Sequence, residues 1–287
     1  MFSLKRREIF RQQVTFNIIL AVLAIVVAFP IFWTICSSFK TIQEIYTLNP
    51  KILPKSLDFV NYKFLFETSV IDYKQAIINS IVVSITTVVI VVICSALGGY
   101  GFSRINFKYR DNIFNTIVML QFVPLTAGII AQWQIMSLLN LRDSLIGLAL
   151  LLAAIILPPN LVLMRQSFLS VPTELEDAAK IDGASTFQLL WHVMLPLAGG
   201  GLILVAVNSF LFTWGDFIYA RTMLTIPSKY TMPVIITVSI PTTPATLRIA
   251  TYGVYNAAAM ITAIPAIIFF ILIQNRFYEG AREDLKG

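Results

Sequence analysis

Residues Ser170 to Leu197 read SVPTELEDAAKIDGASTFQLLWHVMLPL, a polar island in an otherwise apolar chain. Thr173, followed three residues later by Glu176, predicts a capping box, and Glu174, Glu176 and Asp177 fall in a first turn where the helix dipole favours negative charge. A short helix is expected there. It should stop at Gly183, which can take the left-handed conformation after Asp182 that most residues resist. Ser185 and Gln188 form a second box and open another helix, which Pro196 interrupts. The expected product is a helix-turn-helix. On its first arm Leu175, Ala178, Ala179 and Asp182 are expected to share a side, where two alanines let another surface approach the backbone. A well-capped connector lying on the membrane is the plainer alternative. An interfacial helix would carry basic residues and bulky apolar anchors, however, whereas Thr173 to Asp182 carries four acids and one Lys. The segment reads better as a rigid, acidic, small-faced knob for a protein socket.

The chain is apolar on both sides of the island. Of its 287 residues 57% are hydrophobic and 13% charged, against about 25% charged in an ordinary soluble domain. So much apolar surface must face lipid or partner helices. Six windows free of Asp, Glu, Lys and Arg can cross the bilayer: Gln12–Phe39, Gln75–Ser103, Asn112–Leu141, Ser144–Met164, Gly183–Gly215 and Ile249–Asn275. Crossing about 30 Å of hydrocarbon takes about 20 helical residues. Tyr230–Leu247 is also uncharged, but Pro233, Pro241 and Pro244 would break the internal hydrogen bonding that lipid demands, so an extended loop is expected. Pro30, Pro124, Pro158 with Pro159, and Pro265 lie inside windows, as hinges for alternating access or as ordinary kinks that neighbouring helices repair. Small residues such as Ser80, Ser84, Gly98, Gly99, Gly101 and Ala257 to Ala259 suit close helix packing. The expected fold is all-α: a polytopic membrane protein with six transmembrane helices and a cytoplasmic helix-turn-helix.

Orientation follows from the basic clusters. An amino terminus in the cytoplasm places Lys5, Arg6, Arg7, Arg11, Arg104, Lys108, Arg110, Arg165, Lys180, Arg276, Arg282 and Lys286 inside, twelve of the twenty-one Lys and Arg residues. Lys40, Lys51, Lys55, Lys63 and Lys74 belong to one long external segment. Both termini are then cytoplasmic. The opening MFSLKRREIF resembles the start of a signal peptide, but its apolar run is about twice as long as a signal h-region, so an uncleaved first span is expected. The net charge of +6 does not suggest nucleic acid, because the basic residues sit in clusters beside apolar runs. Cys36 and Cys94 lack CxxC spacing and read as packing residues.

The island resembles the signature loop of permease subunits in binding-protein-dependent ABC importers: Glu-Ala-Ala, three residues, Gly, nine residues, then Ile-x-Leu-Pro. Here Asp177, Ala178 and Ala179 precede Gly183 by three residues, and Val193, Met194, Leu195 and Pro196 follow after nine more. Asp177 stands for the expected Glu and Val193 for Ile. The likeness extends from about residue 75 to the end, including WGDF after the fifth window and the terminal KG. It separates residues 1–74, with the first span and the long external segment, from a permease core at 75–287 that holds the loop at 170–197. The IDGAS run, the size and the tail are most similar to the smaller permease of maltose-type carbohydrate and glycerol-phosphate importers. The resemblance implies that the loop docks into a cleft on an ATPase subunit, with Glu174, Asp177, Ala178, Ala179, Asp182, Gly183, Leu195 and Pro196 at the contact. It further implies a second homologous permease, two ATPase subunits, an external substrate-binding protein and a bacterial or archaeal inner membrane.

No chemistry for hydrolysing ATP is visible in the chain. The run Gly199 to Gly201 lacks the Gly-Lys-Ser or Gly-Lys-Thr of a phosphate loop, so ATP hydrolysis is expected on partner subunits and no enzyme activity on this chain. The one histidine, His192, has no Cys or carboxylate at metal spacing, and no cofactor or metal is expected. A secondary transporter driven by an ion gradient is the alternative, but it would normally carry buried ionisable groups within its spans. A membrane-embedded enzyme would need convergent acid, nucleophile or metal groups, whereas the windows offer mainly amides and hydroxyls. Among the polar or aromatic residues inside the spans, Asn79, Gln121, Asn160, Asn208, Phe212, Trp214 and Asn256 could touch sugar hydroxyls and ring faces along a path, or equally could cross-link helices.

Overall fold

The computed structural model describes residues 2–67, 72–124, 126–238 and 245–284, with side chains for 13–67, 72–124, 126–238 and 252–274. The described residues form helices and no strand. In order these are α1 (Phe2–Ser38), α2 (Ile42–Ile45), α3 (Val60–Glu67), α4 (Tyr73–Arg104), α5 (Arg110–Leu120), α6 (Ile129–Leu138), α7 (Leu145–Leu169), α8 (Thr173–Ile181), α9 (Thr186–Leu189), a π-helical turn (Leu190–Met194), α10 (Leu195–Leu197), α11 (Gly199–Trp214), α12 (Ile218–Met223), a 3-10 turn (Pro227–Lys229), α13 (Met232–Val238) and α14 (Ala245–Asp284). The terminal KG, Pro241 and Pro244 lie outside the described residues, as do the side chains of Lys5, Arg6, Arg7, Arg11, Arg276 and Arg282.

Four stretches among the described residues are long and apolar enough to cross a membrane: Gln13–Ser38, Tyr73–Arg104, Leu145–Leu169 and Tyr252–Gln274. A fifth crossing is available if Thr186–Leu197 and Gly199–Trp214, bent by 77°, count as one broken span. The third sequence window departs from expectation. It is two helices, α5 of 11 residues and α6 of 10, each only about 15 Å long at 1.5 Å per residue. Pro124, which has no N–H to donate, lies in the break, and Gly128 precedes α6. By contrast α1 runs through Pro30, α7 through Pro158 and Pro159, and α14 through Pro265.

The supposed extended loop after Tyr230 also needs correction, because Met232–Val238 is helical. Pro233 sits in the first turn, where its missing N–H is not needed and its fixed φ suits a helix. The Met232 amide donates instead to Ser80 Oγ at 2.8 Å. Asn79, a turn-and-loop cross-link in this structure, donates through Nδ2 to Ser228 O and Tyr230 O at 3.0 Å each. A second pin holds the 139–144 loop. Thr225 Oγ1 and the Ile226 amide donate to the Asp143 carboxylate at 2.9 and 3.1 Å. Burial pushes that carboxyl up, but the Thr225 and Ile226 donors and Arg142 outweigh it and hold Asp143 below its ordinary value. The pin is therefore charged at neutral pH and is lost only as pH falls below the usual carboxylate range.

Contacts divide the chain into two compact units, residues 1–71 with 238–263, and residues 72–237 with 264–287. In the first, Asn61 Nδ2 donates to Ser38 O and Lys40 O at 2.9 Å, and Tyr62 OH donates to Ser38 Oγ at 2.8 Å. Those bonds fold the segment after α1 back onto its end, while the apolar side chains of α1 from Val14 to Ile35 are largely exposed. An apolar helix exposed on all sides has lipid or a partner helix as its natural surroundings.

In the second unit α4 lies along α7, and α11 packs against both. Small residues permit this approach. A Cβ on Gly99 would lie 3.0 Å from Met164 and from the Arg165 amide, and one on Gly98 would lie 2.6 Å from Leu161 Cδ1. Val91 and Tyr100 of α4, Ile156 and Phe168 of α7 and Val205 of α11 form one buried cluster. Leu189, Leu190 and Met194 join it from the polar island, so the island is anchored on this bundle.

Candidate functional site

The island folds as two arms around a defined corner. At the end of α8 the Ala184 amide donates to Ala179 O and the Gly183 amide to Lys180 O, both at 3.0 Å. That pair of bonds is a Schellman motif, which requires a left-handed residue after the C-cap, and Gly183 supplies it with φ of 83°. Ser185 then caps the second arm as the sequence predicts: its amide donates to Gln188 Oε1 at 2.9 Å, and the Gln188 amide donates to Ser185 Oγ at 3.4 Å. The arm continues into the π-helical turn, where the Leu195 amide reaches Leu190 O. Pro196 follows within α10, and the chain bends after it into α11.

The first arm begins differently from expectation. Pro172, not Thr173, is the N-cap, and no side chain caps α8. Glu176 turns inward, 6% exposed, and its Oε2 lies 3.3 Å from Arg104 Nε at the end of α4. A charge partner in a buried setting outcompetes a capping bond that water can replace. Lys180 Nζ reaches the other Glu176 oxygen at 3.1 Å and Asp177 at 3.6 Å. The hydrogen bond to Glu176, joined by the charges of Glu176 and Asp177, outweighs desolvation and raises the Lys180 pKa.

Of the residues marked for this contact, Glu174, Asp177, Ala178, Asp182, Gly183 and Pro196 are exposed. Ala179 and Leu195 are half-buried and pack on the bundle core. The expected shared side therefore needs correction. Leu175, Ala178 and Asp182 face outward, while Ala179 lies at the edge of that stripe and is turned inward by the same rotation that buries Glu176. Sequence reasoning also passed over the second arm's outer surface. Phe187 and Trp191 are 68% and 59% exposed and stack with ring centres 6.2 Å apart. Their i, i+4 spacing was the available signal. Ile181, 86% exposed, and Leu175 are exposed apolar residues of the acidic arm itself. A loop with a fixed corner, an acidic arm and stacked aromatics can fill a protein groove.

The residues proposed for a path have different surroundings, each within its own unit. Asn208 Nδ2 donates to Asn160 Oδ1 at 3.1 Å, and the fully buried Asn160 donates to Ile156 O at 2.8 Å, joining α11 to α7. Phe212 packs against the bundle core. Trp214 is buried and stacks on Phe210 at 5.5 Å, which in turn stacks on Phe269 at 4.0 Å. Gln121 is exposed at the end of α5. Asn256, in the other unit, is buried and donates to Tyr252 O at 2.7 Å. His192 Nδ1 lies 3.2 Å from Gln188 O. Among the described residues no group of His, Cys, Asp and Glu is arranged to hold a metal, and Cys36 and Cys94 are free thiols.

Comparison with known proteins places this architecture. The chain is 31% identical over 264 residues to the galactooligosaccharides transport system permease protein GanQ of Bacillus subtilis, covering 92% of this chain and 91% of that one. It is 29% identical over 279 residues to the maltodextrin transport system permease protein MalD of Streptococcus pneumoniae, covering 97% and 96%. The crystal structure of a bacterial ABC transporter involved in the import of the acidic polysaccharide alginate contains a chain that superposes with a TM-score of 0.80 at 23% identity, over 92% of this chain and 95% of that chain. A family model matches residues 8–282. The protein thus belongs to the binding-protein-dependent transport system inner membrane components.

Proposed function

We propose that this chain pairs with a second homologous permease to form the translocation path for a sugar or oligosaccharide delivered by an external binding protein. ATP is hydrolysed on two separate subunits, and this chain is not itself an enzyme. The observation that carries the reading is the corner at Gly183, a rigid two-armed knob at the position where the family signature falls. The named substrates of the relatives, galactooligosaccharides and maltodextrin, support a carbohydrate cargo. The knob, residues 170–197 within a permease core at 75–287, is the coupling element that seats in the ATPase. Glu174, Asp177, Ala178, Asp182 and Gly183 lie at the contact, with Phe187 and Trp191 added as apolar anchors. Leu195 and Ala179 hold the knob to its own bundle, and Pro196 lies exposed where the second arm turns toward α11. Asn208, Phe212, Trp214, Gln121 and Asn256 remain the candidates for the path.

Six crossings with both termini in the cytoplasm fit this reading, the third made by α5 and α6 as a broken span. The break is tolerable where neighbouring helices cover the freed backbone groups. Reporters fused after Gly287 and within Lys51–Lys63 should read cytoplasmic and external, respectively, and the opposite pattern overturns the topology. The docking itself is tested with Ala178→Asp, which places a bulky charge in the contact without touching the chain's own core, where desolvation of an unpaired charge is costly. The variant should insert in the membrane yet copurify with less than about a tenth of the wild-type ATPase, a loss of about 1.4 kcal/mol or more in association. Normal copurification removes the knob from the contact. Uptake driven by an ion gradient in proteoliposomes of this chain alone would favour the secondary transporter instead.

A further inference from the structure

Helix α8 has one buried residue, and that residue is charged: Glu176. A short helix is ordinarily held by an apolar face, yet Leu175 and Ile181 point outward and only Ala179 of α8 packs on the bundle core. What holds α8 is the guanidinium of Arg104. Its Nη2 donates to Phe168 O at 2.8 Å and also to Val171 O, at and just beyond the end of α7, and its Nε lies 3.3 Å from Glu176 Oε2. The two side chains are 9% and 8% exposed. One planar group therefore ties together the end of α4, the end of α7 and the first arm of the knob. Arginine suits the task because one donor of its planar group can hold two carbonyls while its delocalised charge lies against a carboxylate.

We propose that Arg104 and Glu176 are positioning residues that form the mechanical joint between the knob and the spanning helices, through which a movement of the ATPase subunits reaches α4 and α7. The proposal rests on the knob being the ATPase contact. A buried ion pair adds little net stability, and its replacement by apolar residues of similar volume is often neutral, whereas removal of one partner strands a charge. That asymmetry separates position from stability. The pair is buried on the chain's own side of α8 and is not part of the outward face formed by Leu175, Ala178 and Asp182, so its loss should leave ATPase binding in place.

The test uses the whole transporter, assembled with its partner permease, ATPase subunits and binding protein in proteoliposomes. Glu176→Met, which strands the Arg104 charge, should lower the yield of folded complex, and Arg104→Met, which leaves Glu176 its contact with Lys180, should lower it less. The double variant Arg104→Met/Glu176→Met should recover that yield and copurify the ATPase, but substrate transported per ATP hydrolysed should fall about tenfold, since misplacement by about 1 Å can cost of order 100-fold in a positioned system. Arg104→Lys, which keeps the charge but not the fork, should couple between these limits. A double variant that couples as wild type overturns the joint and leaves a purely structural pair. If the double variant does not assemble, Glu176→Asp decides, because it keeps the charge and shortens the arm by one methylene: reduced transport per ATP supports the joint, and wild-type coupling overturns it. Ala178→Asp run in parallel separates the two ideas. Loss of the ATPase in Ala178→Asp with normal coupling in the joint variants rejects only the joint, whereas normal copurification of Ala178→Asp rejects the docking itself.

Discussion

Gly183→Val should leave the protein in the membrane and abolish transport-coupled ATP hydrolysis. The reason is local and conformational. At φ of 83° the Gly183 backbone is in the left-handed region, and a Cβ added there would meet no atom within 4 Å. Crowding therefore contributes nothing, and the full effect is the strain of a β-branched residue at positive φ, about 1–2 kcal/mol. The turn can relieve that strain only by giving up the amide bonds from Gly183 and Ala184 to the last carbonyls of α8, which fix the angle between the arms. A knob whose arms diverge no longer fits a socket shaped for the corner. Gly183→Asn is the matched control, because asparagine enters the left-handed region more readily than other side chains and should retain much of the coupling. Binding-protein-stimulated hydrolysis in proteoliposomes measures both. Equal coupling by Val and wild type would mean that the corner geometry is irrelevant to the ATPase.

The second large effect is expected at the other end of α7, and on folding instead of coupling. A Cβ on Gly147 would lie 2.0 Å from the Leu141 carbonyl oxygen and 3.0 Å from its carbon. These are backbone atoms and cannot rotate away. The loop that carries them cannot easily retreat either, since the Asp143 amide donates to Met223 O at 3.1 Å and the Asp143 carboxylate takes Thr225 and Ile226. Gly147→Val must displace this loop or unwind the first turn of α7, whose Ser144 cap accepts from the Gly147 amide at 3.3 Å. Overpacking of this kind costs about 1–3 kcal/mol, and immovable neighbours put it at the upper end. A lower melting temperature and lower yield in detergent are expected. Gly101→Ala, inside α4 where a Cβ meets nothing within 4 Å, should lower neither. A normal melting temperature for Gly147→Val would show that the 139–144 loop is not pinned as described.

Much of the site could be read from the chain because its signals are local. The turn at Gly183 and the Ser185–Gln188 cap are decided by residues within four positions of one another, and each is found as expected. The long apolar helices were equally legible, since the solvent selects them by length and composition alone. The break in the third window was harder to see. Pro158, Pro159 and Pro265 leave their helices continuous, while Pro124 sits in a gap, and sequence gives no rule that separates these outcomes because the neighbours that repair a kink come from elsewhere in the chain.

What sequence alone determined, then, is the class of the molecule and the shape of its knob, both set by hydrophobic length, backbone conformation and bonds between near neighbours. Tertiary structure decided where the knob is held and which face is free. Arg104 lies 72 positions before Glu176 in the chain, and their meeting depends on α4 and α7 coming within the reach that Gly98 and Gly99 allow. Thr173 and Glu176 match a capping box in sequence, but a buried guanidinium offers Glu176 a stronger partner than a solvent-exposed amide. That one long-range pairing turns Glu176 and Ala179 inward and leaves Leu175, Ala178 and Asp182 as the outer face. The Asn160–Asn208 bond between α7 and α11 is of the same kind. Such pairings are set by the packing of helices distant in sequence, for which no residue spacing is a signal.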